Sequence, residues 1–126
     1  MQQLGARFAS PVIWAGLPAL LFGMGHFNPA GAADNAWLVV GATFLFGLVA
    51  ADLTARSGAL GGAIGFHFAN NVFALLLVAT DGTITGLALY ATPYSITDIE
   101  TVRPLILIDG LVMVAAWLAC RRAVRR

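Results

Sequence analysis

Two histidines and two adjacent asparagines lie within or beside strongly apolar stretches of this sequence. His67 and Asn71 belong to the apolar stretch 58–78, and their i, i+4 spacing places both on one face of a helix. His26 directly follows an earlier apolar stretch. Imidazole exchanges a proton near neutral pH, and imidazole or carboxamide N–H groups stabilise an oxyanion. The pattern predicts a site where water attacks a carbonyl group or, alternatively, polar side chains that only hydrogen-bond neighbouring membrane helices.

Other hydrolytic chemistries fit these residues less well. The sequence contains neither the Gly-x-Ser-x-Gly motif of serine hydrolases nor the His-Glu-x-x-His motif of zinc proteases. Cys120 is the only cysteine, which excludes an internal disulfide and a cysteine metal cluster. No carboxylate stands at ligand spacing from either histidine. We therefore expect neither a metal nor another cofactor.

The composition is that of an integral membrane protein. Hydrophobic residues make up 60% of the 126 residues and charged residues only 10%, whereas a soluble domain is about 25% charged. Basic residues cluster only at the C-terminus, so no nucleic-acid partner is expected. The expected partners are the lipid bilayer and a membrane-associated peptide or protein substrate. We expect one membrane domain covering residues 1–126.

The positioning elements are predicted from apolar runs about 20 residues long, the length that spans a bilayer as a helix. The prediction is an all-α fold, a polytopic bundle of about four transmembrane helices at residues 8–24, 36–51, 58–78 and 104–119. Pro18 should kink the first helix, and Pro104 should begin the fourth. Residues 28–35 should form a loop, and residues 84–94 should lie in the membrane interface. A cleaved signal peptide is a weaker alternative, because no soluble sequence follows the candidate cleavage site at residues 30–32.

The arginines predict the orientation of these helices. Four of the seven lie at the C-terminus, and arginine-rich flanks usually stay in the cytoplasm. Four crossings then place both termini in the cytoplasm. In this topology His26 comes late in its helix and His67 comes early, so the two should differ in depth by several residues of about 1.5 Å each unless a kink compensates.

Two motifs carry a resemblance to a known family. Phe22-x-x-x-His26 followed by His67-x-x-x-Asn71 resembles the second and third motifs of the CAAX protease and bacteriocin-processing family, also called CPBP, Abi or lysostaphin-resistance-protein-A-like. The surrounding stretches 45–48 and 56–60 are similar to the sequence that leads into the third motif. The resemblance covers roughly residues 4–77.

The resemblance implies an intramembrane endopeptidase in a membrane, expected to be the bacterial plasma membrane. Members of this family cleave prenylated CAAX proteins or take part in bacteriocin processing and immunity, and they are sometimes classed with metalloproteases. By resemblance, His26 helps a glutamate orient the attacking water, while His67 and Asn71 stabilise the oxyanion. Phe22 and Asn70 are supporting candidates within the same motifs.

The sequence departs from this family at its first motif, Glu-Glu-x-x-x-Arg, which is not found here. The only glutamate, Glu100, lies in a predicted outer loop. The chain is then expected to be either a fragment or a member that has lost its acid. Without that acid it should be nearly inactive as a peptidase, or act as a non-catalytic binding or immunity protein of the same fold. Asp109, a carboxylate inside the fourth apolar run, is a further candidate for the base, or it pairs with a polar group in the bundle.

Overall fold

The computed structural model of the chain describes residues 2–124, so the predicted cytoplasmic position of Arg125 and Arg126 lies outside the described part. Within it the α-helices are α1 (Gln2–Arg7), α2 (Leu17–Met24), α3 (Pro29–Ala32), α4 (Ala36–Ser57), α5 (Gly61–Asn71) and α6 (Ile99–Val124). Two π-helical turns, Val12–Gly16 and Val72–Leu77, precede α2 and follow α5, and a 3-10 turn, Ala33–Asn35, precedes α4. Two strands, β1 (Val78–Asp81) and β2 (Tyr90–Ser95), separate α5 from α6.

Two of the predicted membrane helices are long and apolar enough to cross a bilayer, at Pro29–Ser57 and Ile99–Val124. The other two correspond to the shorter apolar helices Val12–Met24 and Gly61–Leu77. The chain is therefore mostly helical with two candidate membrane spans among its described residues, which meets the four-helix prediction only in part.

The prediction of an all-α fold needs a correction at residues 78–95. The predicted helix 58–78 gives way to β1, whose Val78 and Ala79 pair in parallel with Tyr90 and Ala91 of β2. β-branched residues in both strands favour this extended backbone. The segment 84–94, expected in the membrane interface, thus contains part of a strand. Its location in the interface stays a prediction.

Helix ends differ from the predicted ends where local hydrogen bonds decide them. Helix α6 begins at Ile99 instead of Pro104, because the Asp98 carboxylate accepts a 3.2 Å hydrogen bond from the backbone N–H of Thr101. Pro104 consequently lies inside the helix. Pro18 lies in the first turn of α2, directly after the π-helical turn Val12–Gly16, and the kink expected at Pro18 stays a prediction. The predicted loop 28–35 is instead helical from Pro29, since Asn28 Oδ1 accepts a 3.0 Å bond from a backbone N–H.

Helices α2 and α4 pack closely through small residues. A Cβ atom added to Gly47 of α4 would lie 3.0 Å from Ala19 of α2, and one added to Gly23 of α2 would lie 2.9 Å from the Val40 carbonyl oxygen of α4. These pairings make the two helices antiparallel. Small residues let helix backbones approach in membranes, where dispersion contacts replace the hydrophobic effect.

Helices α4 and α6 run in the same direction. Asn35, just before α4, donates a 2.9 Å hydrogen bond to the Ile96 carbonyl and accepts a 3.3 Å bond from Arg103 Nε near the start of α6. At the opposite ends, Trp117 Nε1 of α6 donates a 2.8 Å bond to the Asp52 carboxylate of α4. Helix α5 packs against α4. The directions of α2, α4 and α6 are those expected for alternating helices, while the four-span topology stays a prediction.

Candidate active site

A cavity of about 150 Å³ lies among α2, α4, α5 and α6. All six side chains singled out in the sequence line it: Phe22, His26, His67, Asn70, Asn71 and Asp109. The remaining lining residues are Ala42, Thr43, Phe46 and Met113. The fold therefore gathers residues from four helices that are far apart in sequence around one space.

Two phenylalanines hold the imidazoles at this cavity. The Phe22 ring centroid lies 4.7 Å from the His26 ring and 6.1 Å from the His67 ring. The two imidazole centroids are therefore at most the sum of these distances, 10.8 Å, apart. Phe46 of α4 contacts the His67 ring edge-on at 5.3 Å. Both histidines meet the same aromatic side chain, so the expected difference in depth does not separate them.

The hydrogen bond of His26 determines which ring nitrogen carries the proton. Its Nδ1 lies 2.8 Å from the backbone carbonyl oxygen of Phe22, one turn earlier in the chain. A carbonyl oxygen only accepts, so the neutral ring carries its proton on Nδ1 and keeps a lone pair on Nε2. His26 is thereby anchored at one nitrogen and is left with an acceptor at the other.

His67, Asn70 and Asn71 lie on α5 just before the π-helical turn Val72–Leu77. Their side chains are exposed in the isolated chain. The hydrogen bonds found between side chains and other groups in residues 4–124 include none from these three side chains. Within this part of the chain they do not serve as hydrogen-bonded links between helices, and their N–H groups are free to meet a ligand.

Asp52 of α4 and Asp109 of α6 have different surroundings. Asp52 accepts hydrogen bonds from Arg56 at 2.8 Å and from Trp117 at 2.8 Å, and it lies 3.5 Å from Arg121. It does not line the cavity. Asp109 does line it. No three His, Cys, Asp or Glu side chains among the described residues come close enough to hold a metal ion.

A second, apolar cavity of about 220 Å³ adjoins the first. The two share Phe22, Phe46 and His67. Its other lining residues are Pro18, Ala19, Gly47 and Ala50. Sequence reasoning missed this cavity and the contribution of Phe46, although the stretch 45–48 was part of the resemblance.

Comparison with known proteins supplies the family. A family model described as type II CAAX prenyl endopeptidase Rce1-like matches residues 1–73, more than half of the chain. The matched range contains His26, His67 and Asn71 but not Asp109. A search of curated proteins found no significant match, and neither did a search of solved structures. The resemblance drawn from the two motifs is confirmed, and the chain belongs to the membrane-embedded type II CAAX prenyl endopeptidase Rce1-like family.

Proposed function

We propose that this chain is an intramembrane endopeptidase that hydrolyses a peptide bond of a membrane-associated peptide or protein. The observation that carries the proposal is the convergence of two imidazoles and two carboxamides on one cavity among the apolar helices α2, α4, α5 and α6. Polar groups at membrane depth are costly, and they usually face a cavity where they act on a substrate or ion. The family supports the reaction class.

The cavity residues divide into two roles. The His67 ring and the Asn71 carboxamide donate hydrogen bonds to the oxygen of the scissile carbonyl as it becomes an oxyanion. His26 Nε2 accepts a hydrogen bond from the attacking water and so orients it. The water oxygen forms a bond to the carbonyl carbon, the C–N bond breaks, and the departing nitrogen takes up the proton released by the water. Asn70 and Phe22 complete the cavity wall.

The apolar cavity beside His67 suits an uncharged group of the substrate. Its walls are aromatic and aliphatic apart from His67 itself. A substrate carbonyl at His67 would therefore bring an adjoining apolar group to this space. Burial of such a group contributes roughly 25 cal/mol per Å².

The same proposal includes the location of the chain. We place it in the bacterial plasma membrane with both termini in the cytoplasm. Arg56 and Arg121 support this orientation, because both lie beside Asp52 at one end of the α4–α6 pair. Arginines concentrated at one end of a bundle favour the cytoplasmic side.

The test is cleavage of a fluorogenic reporter anchored in vesicles that contain the purified chain. His67→Ala and Asn71→Ala should each lower kcat about 10²- to 10³-fold, as for a lost oxyanion donor. Phe68→Ala, on the same helix but outside the cavity, is the matched control and should cleave at the unmodified rate. Equal cleavage by all four proteins would contradict the proposed roles.

A non-catalytic binding or immunity protein of the same fold is the second candidate. One observation favours it: Glu100, the only glutamate of the sequence, lies in the first turn of α6 and does not line the cavity. The test compares reporter cleavage by this chain with cleavage by the same chain extended at its N-terminus by a helix bearing Glu-Glu-x-x-x-Arg. If neither form cleaves while both still bind the reporter, this second candidate is correct.

A further inference from the structure

Asp109 is a carboxylate in the interior of a membrane helix. It lies in α6 (Ile99–Val124), one of the two helices long enough to span a bilayer, and apolar residues flank it on both sides of the Asp109-Gly110 pair. A carboxylate at this depth is costly unless it faces a wet cavity or a partner. It faces the cavity that also contains His26 and His67.

A structural role for Asp109 lacks a partner in the described part of the chain. Its carboxylate makes neither a hydrogen bond nor an ion pair there, and the salt bridges found involve Asp52 instead. The described residues also contain no metal-binding group that includes it. The pairing with a polar group of the bundle that its position first suggested is therefore not realised between the described residues. The carboxylate remains open to a ligand in the cavity.

We propose that Asp109 is the general base of this chain and takes a proton from the attacking water. This inference rests on the proposed peptidase function and adds a base to the residues already given roles in it. The Asp109 carboxylate removes one proton as the water oxygen bonds to the carbonyl carbon, and the carbonyl π electrons move to the oxygen held by His67 and Asn71. The C–N bond then breaks, and protonated Asp109 returns the proton to the leaving nitrogen. The products are a carboxylic acid and an amine.

The size and the lining of the cavity suit a base at Asp109 and oxyanion donors at His67 and Asn71. Neither histidine lies within ion-pair distance of Asp109, so the space between them is not closed by a direct contact. A water molecule occupies about 30 Å³ and needs two to four polar partners. The cavity volume of about 150 Å³ accommodates a water together with a peptide carbonyl group. In the proposed arrangement His26 Nε2 and the Asp109 carboxylate each accept one hydrogen of the water.

The experiment measures reporter cleavage by the chain as it exists and by three variants. Asp109→Asn keeps the shape of the side chain but cannot take a proton, so kcat should fall at least about 100-fold with KM unchanged, as for loss of a general base. Asp109→Glu keeps the carboxylate and should recover part of that rate. Asp34→Asn is the matched control, because Asp34 is exposed and lies outside the cavity. It should not change kcat.

Each other outcome overturns the inference in a distinguishable way. Equal cleavage by Asp109→Asn and the unmodified chain would show that another group is the base. Equal losses in Asp109→Asn and Asp109→Glu, with lower unfolding midpoints for both, would assign Asp109 a structural role. Cleavage only by the chain extended with Glu-Glu-x-x-x-Arg, unchanged by Asp109→Asn, would refute the role of Asp109 but retain the proposed function. Absence of cleavage in both forms would refute both.

Discussion

The Nδ1 atom of His26 lies 2.8 Å from the backbone carbonyl oxygen of Phe22, while the rings of the two residues contact each other with centroids 4.7 Å apart. Phe22 thus binds Nδ1 of His26 through its carbonyl oxygen and packs its ring against the imidazole, so the two nitrogens of His26 have different surroundings. The anchored nitrogen has a structural role, and the other is available for chemistry.

The different surroundings of Nδ1 and Nε2 predict different effects for two substitutions of His26. An asparagine at this position would place a carboxamide N–H near the position of Nδ1, so His26→Asn should keep the bond to Phe22 but lose the Nε2 acceptor. We expect kcat to fall about 100-fold or more with an unchanged unfolding midpoint. His26→Ala should lose the same activity and, in addition, about 1 kcal/mol of stability. Reporter cleavage and thermal unfolding in detergent measure the two effects, and equal unfolding midpoints for both variants would show that the anchor is unimportant.

The contact between Gly47 and Ala19 predicts a position-specific loss of stability. Gly47→Leu should force α2 away from α4, because even a Cβ atom would lie 3.0 Å from Ala19. The cost should be about 1 to 3 kcal/mol, typical of overpacked sites. Gly41→Leu on the same helix is the control, since a Cβ at Gly41 meets nothing within 4 Å. Thermal unfolding compares them, and equal midpoints would mean that α2 and α4 do not pack as described.

The hydrogen bond from Trp117 to Asp52 should stabilise the packing of α6 against α4. Trp117→Phe keeps an aromatic ring beside Arg121 but removes the N–H that lies 2.8 Å from the carboxylate. We expect a loss of about 1 kcal/mol, low for a bond to a charged group because Asp52 is partly exposed. Trp37→Phe is the control, since Trp37 is exposed and makes no such bond among the described residues. Equal stability of the two variants in an unfolding experiment would argue against the link.

The cap of α6 predicts a pH-dependent contribution to stability. Hydrogen bonds from the Thr101 hydroxyl and backbone N–H lower the pKa of Asp98 below its usual value of 3.8. The folded state therefore favours the ionised carboxylate, so the cap stabilises the protein above pH 3.8 and its contribution is lost as the pH falls through the lowered pKa. The unfolding midpoint of Asp98→Asn should be lower than that of the unmodified chain near pH 6, and the difference should shrink as the pH falls below 3.8. A constant difference at all pH values would refute the ionic origin of the cap.

The sequence by itself indicated an integral membrane protein and, through the similarity of its two motifs to those of a known family, the family. Both inferences depend only on local composition and spacing. The i, i+4 relation of His67 and Asn71 also followed from helix geometry alone. Predictions of helix ends from apolar runs were wrong where backbone hydrogen bonds ended or extended a helix. The run predicted as one helix at residues 58–78 ends in the π-helical turn Val72–Leu77, and the strand Val78–Asp81 follows it.

Only the tertiary structure decided which side chains share a cavity. The positions of Phe46 and Asp109 relative to the two histidines depend on the rotation of α4 and α6 about their axes, which the mostly apolar composition of these helices does not specify. The tight contacts of Gly23 and Gly47 set that rotation for α2 and α4, and the bonds of Asn35 and Asp52 set it for α4 and α6. Two polar links and two glycine contacts, each formed between residues distant in sequence, thus bring Asp109 to the same space as His26 and His67.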